Sequence, residues 1–438
     1  MTIKESIKKI IPCFLLDFYH YCLAFAGAFL YGFPSKKMIV VGITGTAGKS
    51  TTVEFVAKVL EQTGHKTASL SSIKFKIGNY EQDNDLKMTM PGRMKIQRFL
   101  KQALKANCKY VVLEVTSEGI KQFRNKFINF DIAIFTNLSP EHIETHRGFE
   151  NYRQAKLMLF KDTKKIHIIN LDDQNTDYFL KIPSNEKYGY TMNPEVAINF
   201  GENPAVASNF RENNKNLKIL EAKNTNVLTN GVDFEVQGEL FHLNLLGKFN
   251  IYNSLAAICV GLSQGVSLEK CKLALSRIQG ISGRMEIVAK EPFVVIVDYA
   301  HTPDSLLNVY KTLSELKPKN QESKIICVLG SCGGGRDKWK RPKMGEIAYQ
   351  YCDEVFVTNE DPYDEDPMEI IDQVAQGAQN KAHKVLDRRE AIKRAISVAN
   401  SNDIVIITGK GSELWMCVKN NKKIKWDDRE IVRQSINH

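Results

Sequence analysis

Residues 42–52 read GITGTAGKSTT, and this stretch decides the fold. It directly follows an apolar, β-branched run at residues 38–43 and directly precedes a helical pattern at residues 53–62. A strand, a glycine-containing turn and a helix in this order are the context in which a phosphate-binding loop occurs. The sequence therefore predicts a nucleotide phosphate site on an α/β scaffold.

The chemistry of such a loop assigns a role to each of its residues. Backbone N–H groups of the turn and of the helix N-terminus point at the phosphates, and the lysine neutralises the terminal ones. A hydroxyl next to that lysine reaches a magnesium ion. The predicted nucleotide-binding residues of the loop are Gly45, Thr46, Gly48, Lys49, Ser50 and Thr51.

The loop is a variant, and it leaves the reaction open. In the general pattern GxxxxGK[ST], Ile43 occupies the position of the first glycine. A glycine-rich turn with a chance lysine is the alternative interpretation, although the flanking elements favour a nucleotide site. Kinases, motor proteins and ligases all carry such loops, so the loop alone does not identify the reaction.

Outside the loop, short β-branched runs alternate with longer amphipathic stretches, which predicts parallel strands joined by helices. Residues 185–247 differ, because asparagine-rich turns and short alternating segments there indicate an antiparallel excursion. A second set of strands follows the turn at residues 280–283. We expect an N-terminal helical segment at residues 1–37, a central ATP-binding domain with a parallel sheet at 38–282, and a Rossmann-like C-terminal domain at 283–438.

The N-terminal segment is apolar at residues 10–33 and is flanked by lysines. Asp17, His20 and Tyr21 interrupt it, and the uninterrupted part, residues 22–33, is shorter than the ~20 residues of a membrane span. The pattern predicts a docked or membrane-surface helix with possible peripheral membrane contact, and a true span is the alternative.

Composition narrows the setting of the protein without choosing a function. The 60 Lys and Arg residues exceed the 50 Asp and Glu residues and are scattered, which suits phosphate-bearing substrates as well as nucleic acid. The nine cysteines form no CxxC pair or zinc spacing, which favours a reduced, cytoplasmic setting.

Several further motifs follow one another along the chain. They are LEVTSEG at 113–119, FTNLSPEHIETH at 135–146, YRQAKLMLF at 152–160, GKFNIYN at 247–253, GRME at 283–286, DYAHTPD at 298–304, GGGRDKWKRPKMG at 333–345 and GKGSE at 409–413. Together with TGTAGKST, this series resembles the Mur ligase family, and most closely its tripeptide synthetase branch. The resemblance runs from about residue 38 to the C-terminus.

The resemblance implies an ATP-dependent reaction in which a substrate carboxylate becomes an acyl phosphate that an amine attacks. It implies that Glu114 and His142 hold Mg²⁺ together with Ser50, and that Lys156 is carbamylated and helps to place a magnesium ion. A structural glutamate, a loop histidine and a solvated helix lysine are the alternatives for these three residues. It further implies that Asn250 and Asn253 contact the nucleotide, and that ATP is also bound by Arg284, Asp298 and His301.

The resemblance also extends to the substrates. Thr89, Ser117, Gln122 and Arg124 match positions that contact a UDP-linked muramoyl peptide. Arg336 is a candidate clamp for the α-carboxylate of a free amino acid, and the remaining amino-acid contacts would be Glu360, Asp361, Gly409 and Glu413. The motif DYAHTPD disfavours a folylpolyglutamate synthetase. The same resemblance implies four catalytic residues, namely Lys49, Lys156, His142 and Arg284.

Some positions depart from the family pattern. Only about 37 residues precede the first strand, where this branch carries a uridine-binding domain. Tyr363 stands where an arginine would pair with a diaminopimelate carboxylate, and the acidic neighbourhood favours a basic amino acid such as lysine. A solvated acidic loop is the alternative interpretation.

The sequence thus predicts a ligase that adds an amino acid to UDP-N-acetylmuramoyl-L-Ala-D-Glu, without nucleic-acid binding and as a monomer. Two alternatives stay open. One is another Mur-type ligase acting on a polyamino-acid or lipid-linked acid, and the other is an inactive nucleotide-binding scaffold.

Overall fold

The computed structural model of the chain describes residues 12–141, 143–201, 217–317, 322–420 and 422–436. These residues divide between two compact units. The first unit comprises Met1–Leu138, Glu150–Ala222 and Tyr252–Ala274, and the second comprises Ser139–Phe149, Lys223–Ile251 and Leu275–His438.

The first unit is built around one mixed, mostly parallel sheet. Its described strands are β1 (Ile39–Thr44), β2 (Thr67–Leu70), β3 (Lys74–Ile77), β4 (Tyr80–Asp83), β5 (Tyr110–Glu114), β6 (Ile132–Phe135), β7 (Ile166–Asn170), β8 (Glu186–Thr191) and β9 (Leu217–Glu221). Their order is β4-β3-β2-β5-β1-β6-β7-β8-β9, with antiparallel pairing only where β3 joins β2 and β4. The central strands are buried on both faces, as expected of parallel strands covered by helices.

Helices cover this sheet and carry much of the candidate site. Those up to β9 are α1 (Cys13–Leu30), α2 (Lys49–Glu61), α3 (Arg93–Lys105), α4 (Ser117–Lys121), α5 (Ile143–His146), α6 (Phe149–Asp162), α7 (Thr176–Leu180) and α8 (Pro194–Gly201), with a 3₁₀ turn at Pro34–Lys37. Residues from 143 to Phe149, including α5, belong to the second unit. α9 (Phe249–Ser263) and α10 (Leu268–Ser276) follow later in the chain.

The second unit contains a smaller sheet of described strands in the order β13-β14-β18-β15-β16-β17. Its strands and helices alternate as β13 (Glu286–Ala289), β14 (Val294–Asp298), α11 (Pro303–Leu316), β15 (Ile325–Leu329), α12 (Lys340–Tyr351), β16 (Glu354–Thr358), α13 (Pro367–Ala378), β17 (Ala382–Val385), α14 (Arg388–Ser397), β18 (Ile404–Thr408) and α15 (Asp428–Ile436). A short 3₁₀ turn, Gln379–Lys381, precedes β17. All pairs except β13–β14 are parallel, and apolar clusters fill both faces.

Two small antiparallel sheets complete the second unit. One contains β10 (Lys223–Leu228), β11 (Gly231–Val236) and β12 (Glu239–Leu243), and the other contains β19 (Trp415–Val418) and β20 (Lys422–Lys425). The predicted α/β fold class is confirmed. The antiparallel excursion is shorter than predicted, because β8 and β9 extend the parallel sheet and the antiparallel part begins only at β10.

The predicted N-terminal helix is α1, which packs on α3. A Cβ atom placed on Gly27 would lie 3.0 Å from the sulfur of Met94, so a glycine lets the two helices approach closely. α1 also exposes large apolar side chains, namely Phe14, Leu15, Phe18, Tyr19, Tyr21, Phe25, Phe29 and Leu30. Among the residues described, no helix has the length and apolar character to cross a membrane.

Candidate active site

The phosphate-binding loop joins β1 to α2, as the sequence predicts. The backbone conformation of the loop requires a glycine where Gly48 lies. That residue has φ = +80°, in the left-handed region that glycine favours. A Cβ atom there would also lie 2.5 Å from Oδ1 of Asn253. Asn253 in turn accepts a hydrogen bond from the Thr52 hydroxyl at 3.1 Å, so this asparagine fixes the start of α2.

Residues after β6 brace the loop from its other side. The Asn137 side chain accepts from the Ala47 N–H at 2.8 Å, and its backbone carbonyl accepts from the Thr46 N–H at 2.9 Å. The Thr136 hydroxyl donates to the Ala47 carbonyl at 2.8 Å. Asn137 was not singled out from the sequence, although its position directly after a parallel strand within a shared motif is a signal for it.

Lys49, the first residue of α2, directs its ammonium group back over the loop. Nζ donates to the carbonyl oxygens of Gly45 at 3.0 Å and Thr46 at 2.8 Å. It also lies 4.0 Å from Oε1 of Glu114. The lysine therefore places a positive charge beside the backbone groups that would receive phosphates.

Glu114 and two serines form a cluster of oxygen atoms next to Lys49. Glu114 ends β5 and is buried, and its Oε2 accepts from the Ser50 hydroxyl at 2.9 Å and from the Ser72 N–H at 2.9 Å. The two serine hydroxyls lie 2.8 Å apart. Carboxylate and hydroxyl oxygens are ligands that Mg²⁺ prefers, so this donor set fits the ion. Ser72 is a residue that the sequence analysis missed.

His142 lies outside the described residues, so its pairing with Glu114 stays a prediction. Within the part of the chain that the structure describes, no three or more His, Cys, Asp or Glu side chains gather as a metal cluster. The oxygen donors beside Lys49 consist of one carboxylate and hydroxyl groups, which would leave most positions of a magnesium ion to water and phosphate oxygens.

Lys156 is buried in α6 and reaches the same loop. Its Nζ donates to the Gly45 carbonyl at 2.6 Å and lies 4.5 Å from the centroid of the Tyr152 ring. The Tyr152 hydroxyl lies 3.1 Å from the Thr46 hydroxyl, so two residues one helical turn apart both contact the loop. The alternative of a solvated helix lysine is therefore wrong.

Two predicted substrate residues of the first unit, Gln122 and Arg124, contact one another beside the segment that leads into α3. Arg124 donates to the Gln122 side chain at 2.7 Å and also to the Met90 carbonyl, beside Thr89. Ser117 is buried at the start of α4, whose cap Thr116 accepts from the Gly119 N–H at 3.0 Å. Thr51, which is predicted to bind the nucleotide, is buried in the first turn of α2.

In the second unit, Asp298 organises the residues expected to face ATP. Its carboxylate accepts from the N–H groups of Met285 at 2.6 Å and Ala300 at 2.7 Å. Burial raises the pKa of Asp298, and the charge of Arg284 opposes that rise. The Arg284 guanidinium lies 4.5 Å from the centroid of the Tyr299 ring. Because Asp298 holds the backbone directly after each of these two residues, it helps to position the arginine.

His301 lies at the same end of β14 and contacts a glutamate that the sequence analysis missed. Its Nδ1 lies 2.8 Å from the Tyr299 carbonyl, and its Nε2 lies 3.2 Å from Oε1 of Glu141. Lys340 donates to the His301 carbonyl at 3.0 Å. Asn250, at the start of α9, donates to the Leu246 carbonyl at 2.8 Å.

The predicted amino-acid contacts follow three adjacent parallel strands, β15, β16 and β18, at their carboxyl ends. Ligands of open α/β sheets bind at such edges. Glu360 is buried there, and its Oε1 accepts from the Cys332 thiol at 3.1 Å. Its Oε2 is buried with no hydrogen-bond partner among the described residues. Burial raises the pKa of the Cys332 thiol well above its usual value, so this cysteine is not an activated nucleophile.

Lys410 neutralises much of the acidic neighbourhood. Its buried ammonium donates to both oxygens of Asp361, at 3.0 and 3.1 Å, and to Glu413 at 2.6 Å. Burial lowers the pKa of Lys410, but the carboxylates of Glu413 and Asp361 raise it more, so it stays charged. Arg336 lies nearby with its guanidinium 5.9 Å from the Tyr363 ring centroid. Glu360 is thus the acid here without an ionic partner among the described residues.

Comparison with known proteins finds one family in both parts of the chain. The Mur ligase middle domain matches residues 43–261, and the Mur ligase glutamate ligase domain matches residues 283–411. A UDP-N-acetylmuramoyl-L-alanyl-D-glutamate–2,6-diaminopimelate ligase from Syntrophomonas wolfei is 36% identical over 94% of this chain and 81% of the relative. A UDP-N-acetylmuramyl-tripeptide synthetase from a Roseiflexus species is 34% identical with the same shares covered.

Solved structures show the same relationship. The structure of a UDP-N-acetylmuramoyl-L-alanyl-D-glutamate–2,6-diaminopimelate ligase aligns with a TM-score of 0.57 and 28% identity, covering 91% of this chain and 78% of that one. A folylpolyglutamate synthase from Mycobacterium tuberculosis, solved with ADP and AMPPCP, aligns with a TM-score of 0.65 over 89% of this chain and 92% of that one. It is 14% identical and shows the fold alone. The chain therefore belongs to the Mur ligase family of ATP-dependent amide ligases and is similar to the tripeptide synthetases within it.

Proposed function

We propose that the protein adds an amino acid to UDP-N-acetylmuramoyl-L-Ala-D-Glu, a peptidoglycan precursor, through an acyl-phosphate intermediate. The observation that carries the proposal is the meeting of Lys49, Glu114 and Lys156 at one phosphate loop. A scaffold that only binds nucleotide has no need of a buried carboxylate and a second buried lysine there. The names of the relatives supply the substrate.

Several charged residues of the chain suit phosphoryl transfer. Lys49 would neutralise the terminal phosphates, and Arg284 would offset the charge that develops during transfer. Ser50 and Glu114 would hold Mg²⁺, which supplies additional stabilisation of negative charge. Lys156 would contribute as a carbamate, formed when its neutral amine takes up CO₂ and releases a proton. Its burial against the loop supports this role, because a carbamate there would convert a cation into an anion beside the metal.

We infer further that the added amino acid has a basic side chain. The relatives include diaminopimelate ligases, yet Tyr363 stands where an arginine would pair with the second carboxylate of diaminopimelate. Tyrosine has no charge to offer such a carboxylate. The buried Oε2 of Glu360 has no partner among the described residues, and it suits an ammonium group.

The proposed function is tested by phosphate release from ATP. Folded protein is incubated with UDP-N-acetylmuramoyl-L-Ala-D-Glu and, in turn, lysine, ornithine and diaminopimelate. We expect turnover with lysine or ornithine and an amide product detectable by mass spectrometry. If protein that binds ATP turns over none of them, the function is refuted. Turnover only with diaminopimelate would refute the inferred amino-acid class alone.

A further inference from the structure

Helix α1 presents a row of aromatic side chains to solvent. Among the exposed large apolar residues of the described chain, eight belong to this 18-residue helix, and Phe14 and Phe29 are each 69% exposed. Its phenylalanines are separated by four, seven and four positions, which places them along one side of the helix as an aromatic row, namely Phe14, Phe18, Phe25 and Phe29. Proteins that stay monomeric in water seldom expose so large an apolar surface, so the aromatic row indicates an interaction site.

Two residues outside α1 hold the aromatic row in place. The centroid of the Phe127 ring lies 5.1 Å from that of Tyr21 and 5.4 Å from that of Phe25, and the Phe123 centroid lies 6.1 Å from that of Tyr21. Phe123 and Phe127 have φ of +56° and +62°, in the left-handed region that aromatic residues rarely adopt. Such backbone conformations cost free energy, and the contacts of these rings with α1 offset that cost. The aromatic row is therefore part of the folded first unit and needs little further ordering to make a contact.

The charges that follow the aromatic row are positive. Phe33 continues the row beyond α1, because its ring centroid lies 6.3 Å from that of Phe25, and the Lys36 ammonium lies 5.0 Å from the Phe33 centroid. Lys36 and Lys37 are exposed, and neither has an ion-pair partner in the parts of the chain that the structure describes. Residues 18–53 contain no Asp or Glu. The apolar surface thus ends at two adjacent cations that no acid of the same segment neutralises.

We propose that the aromatic row, together with Lys36 and Lys37, docks the protein on an anionic lipid bilayer. In this arrangement α1 lies along the bilayer surface, with its phenylalanine rings at the boundary between headgroups and acyl chains. Anionic headgroups attract lysines beside such a helix, so the apolar side and the basic end both contribute to binding. Asp17, the one acid of α1, lies near the end of the helix that is remote from these lysines. This contact is independent of the proposed ligase reaction.

A second copy of the chain fits this surface less well than a lipid bilayer does. In a two-fold symmetric contact the same surface of both copies meets, so Lys36 and Lys37 of each copy would enter one interface. Like charges brought together in this way repel one another, whereas anionic headgroups attract all four lysines. A bilayer surface also adapts to an exposed helix, whereas a protein partner needs a groove that matches the aromatic row.

The test is flotation of the full chain with phospholipid vesicles in a density gradient, using phosphatidylcholine vesicles with and without phosphatidylglycerol. We expect binding to vesicles that contain phosphatidylglycerol and much weaker binding to phosphatidylcholine alone. Lys36→Glu with Lys37→Glu should weaken binding about tenfold or more, because each lysine near an anionic surface contributes roughly a fivefold factor. The matched control is Lys422→Glu with Lys423→Glu, which reverses two adjacent exposed lysines of the second unit and should change binding far less.

The apolar contribution is tested with Phe14→Ser and Phe29→Ser together, which should weaken vesicle binding about tenfold or more. The matched control is Leu240→Ser with Ile424→Ser, at side chains of the second unit that are 57% and 51% exposed. Every variant should bind ATP as the wild type does, which shows that it is folded. The inference is overturned if the wild type does not float with phosphatidylglycerol vesicles, or if either control pair loses as much binding as its test pair. A dimer that forms without lipid and dissociates in Phe14→Ser with Phe29→Ser would assign the surface to a second copy and overturn it as well.

Discussion

His167 allows one prediction in which the sign and magnitude follow from the structure. The imidazole is completely buried in β7, and its Nε2 lies 2.8 Å from the Thr163 carbonyl and 3.1 Å from the Phe160 carbonyl at the end of α6. Both partners are acceptors, so Nε2 carries the proton. Burial lowers the pKa of His167 from 6.5 to about 4, because the charged ring would lose its water.

The sign follows from linkage between protonation and folding. The pKa of the folded state lies below that of the unfolded state, so the unfolded chain binds a proton first as the pH falls. The stabilising contribution is present above pH 6.5 and is lost as the pH falls toward 4. A shift from 6.5 to about 4 corresponds to about 3 kcal/mol in total, of which about 2 kcal/mol is lost between pH 7 and pH 5.

The assay is urea unfolding at pH 7 and pH 5 for the wild type and for His167→Gln, which keeps a side-chain N–H but does not titrate. We expect the free energy of unfolding of the wild type to fall by about 2 kcal/mol more than that of the variant over this range. The pKa can be read independently from the imidazole resonance by NMR. An equal fall in both proteins, or a pKa near 6.5 in the folded state, would show that the reasoning is wrong.

Four other predictions concern the site and its surroundings. Lys156→Ala should abolish most ligase activity, and adding a short carboxylate should restore part of it. Lys161 is an exposed lysine of the same helix, so Lys161→Ala should stay active. If the carboxylate restores no activity, the carbamate proposal is contradicted. Gly48→Ala should weaken ATP binding strongly, while Gly64→Ala, with the same φ of +80° but no neighbour within 4 Å, should leave ATP affinity unchanged in calorimetry. Tyr363→Arg should raise kcat/KM for diaminopimelate relative to lysine, and an unchanged ratio would contradict the assignment. The exposed apolar face of α1 should bring the protein down with anionic phospholipid vesicles on sedimentation, and Phe18→Ser with Phe29→Ser should reduce this; equal sedimentation would argue against membrane contact.

Much of the scaffold around the loop could be predicted from the sequence. The strand β1 differs from the predicted run at residues 38–43 by one residue at each end, and β14 and β16 belong to the second set of strands predicted after residue 283. These strands are buried on both faces and read as continuous β-branched runs, which is a strong local signal. The extent of the parallel sheet was harder to predict, because β8 reads EKYGYT, which has no aliphatic side chain, and lies between asparagine-containing turns.

The residues that the sequence missed act through contacts between distant segments. Ser72 reaches Glu114 from the turn between β2 and β3, and Asn137 braces the loop from the end of β6. Ser72 has no local pattern that distinguishes it from an ordinary turn residue, and Asn137 is marked only by its position after a parallel strand within a shared motif. Their roles depend on which strands are neighbours in the sheet, and strand order is not encoded in any one segment.

The predicted amino-acid site is less acidic in the structure than its residues suggest in the sequence. Glu360, Asp361 and Glu413 suggest a strongly acidic site, but Lys410 satisfies two of these carboxylates from within the protein. A buried lysine that makes four such contacts, the fourth to the Trp415 carbonyl at 2.7 Å, organises the loops instead of leaving the acids for a ligand. The selecting charge is then reduced to Glu360, and the substitution of Glu360 by Gln should cost more activity with lysine than with a neutral amino acid. Comparable losses with both would mean that Glu360 serves the loops alone.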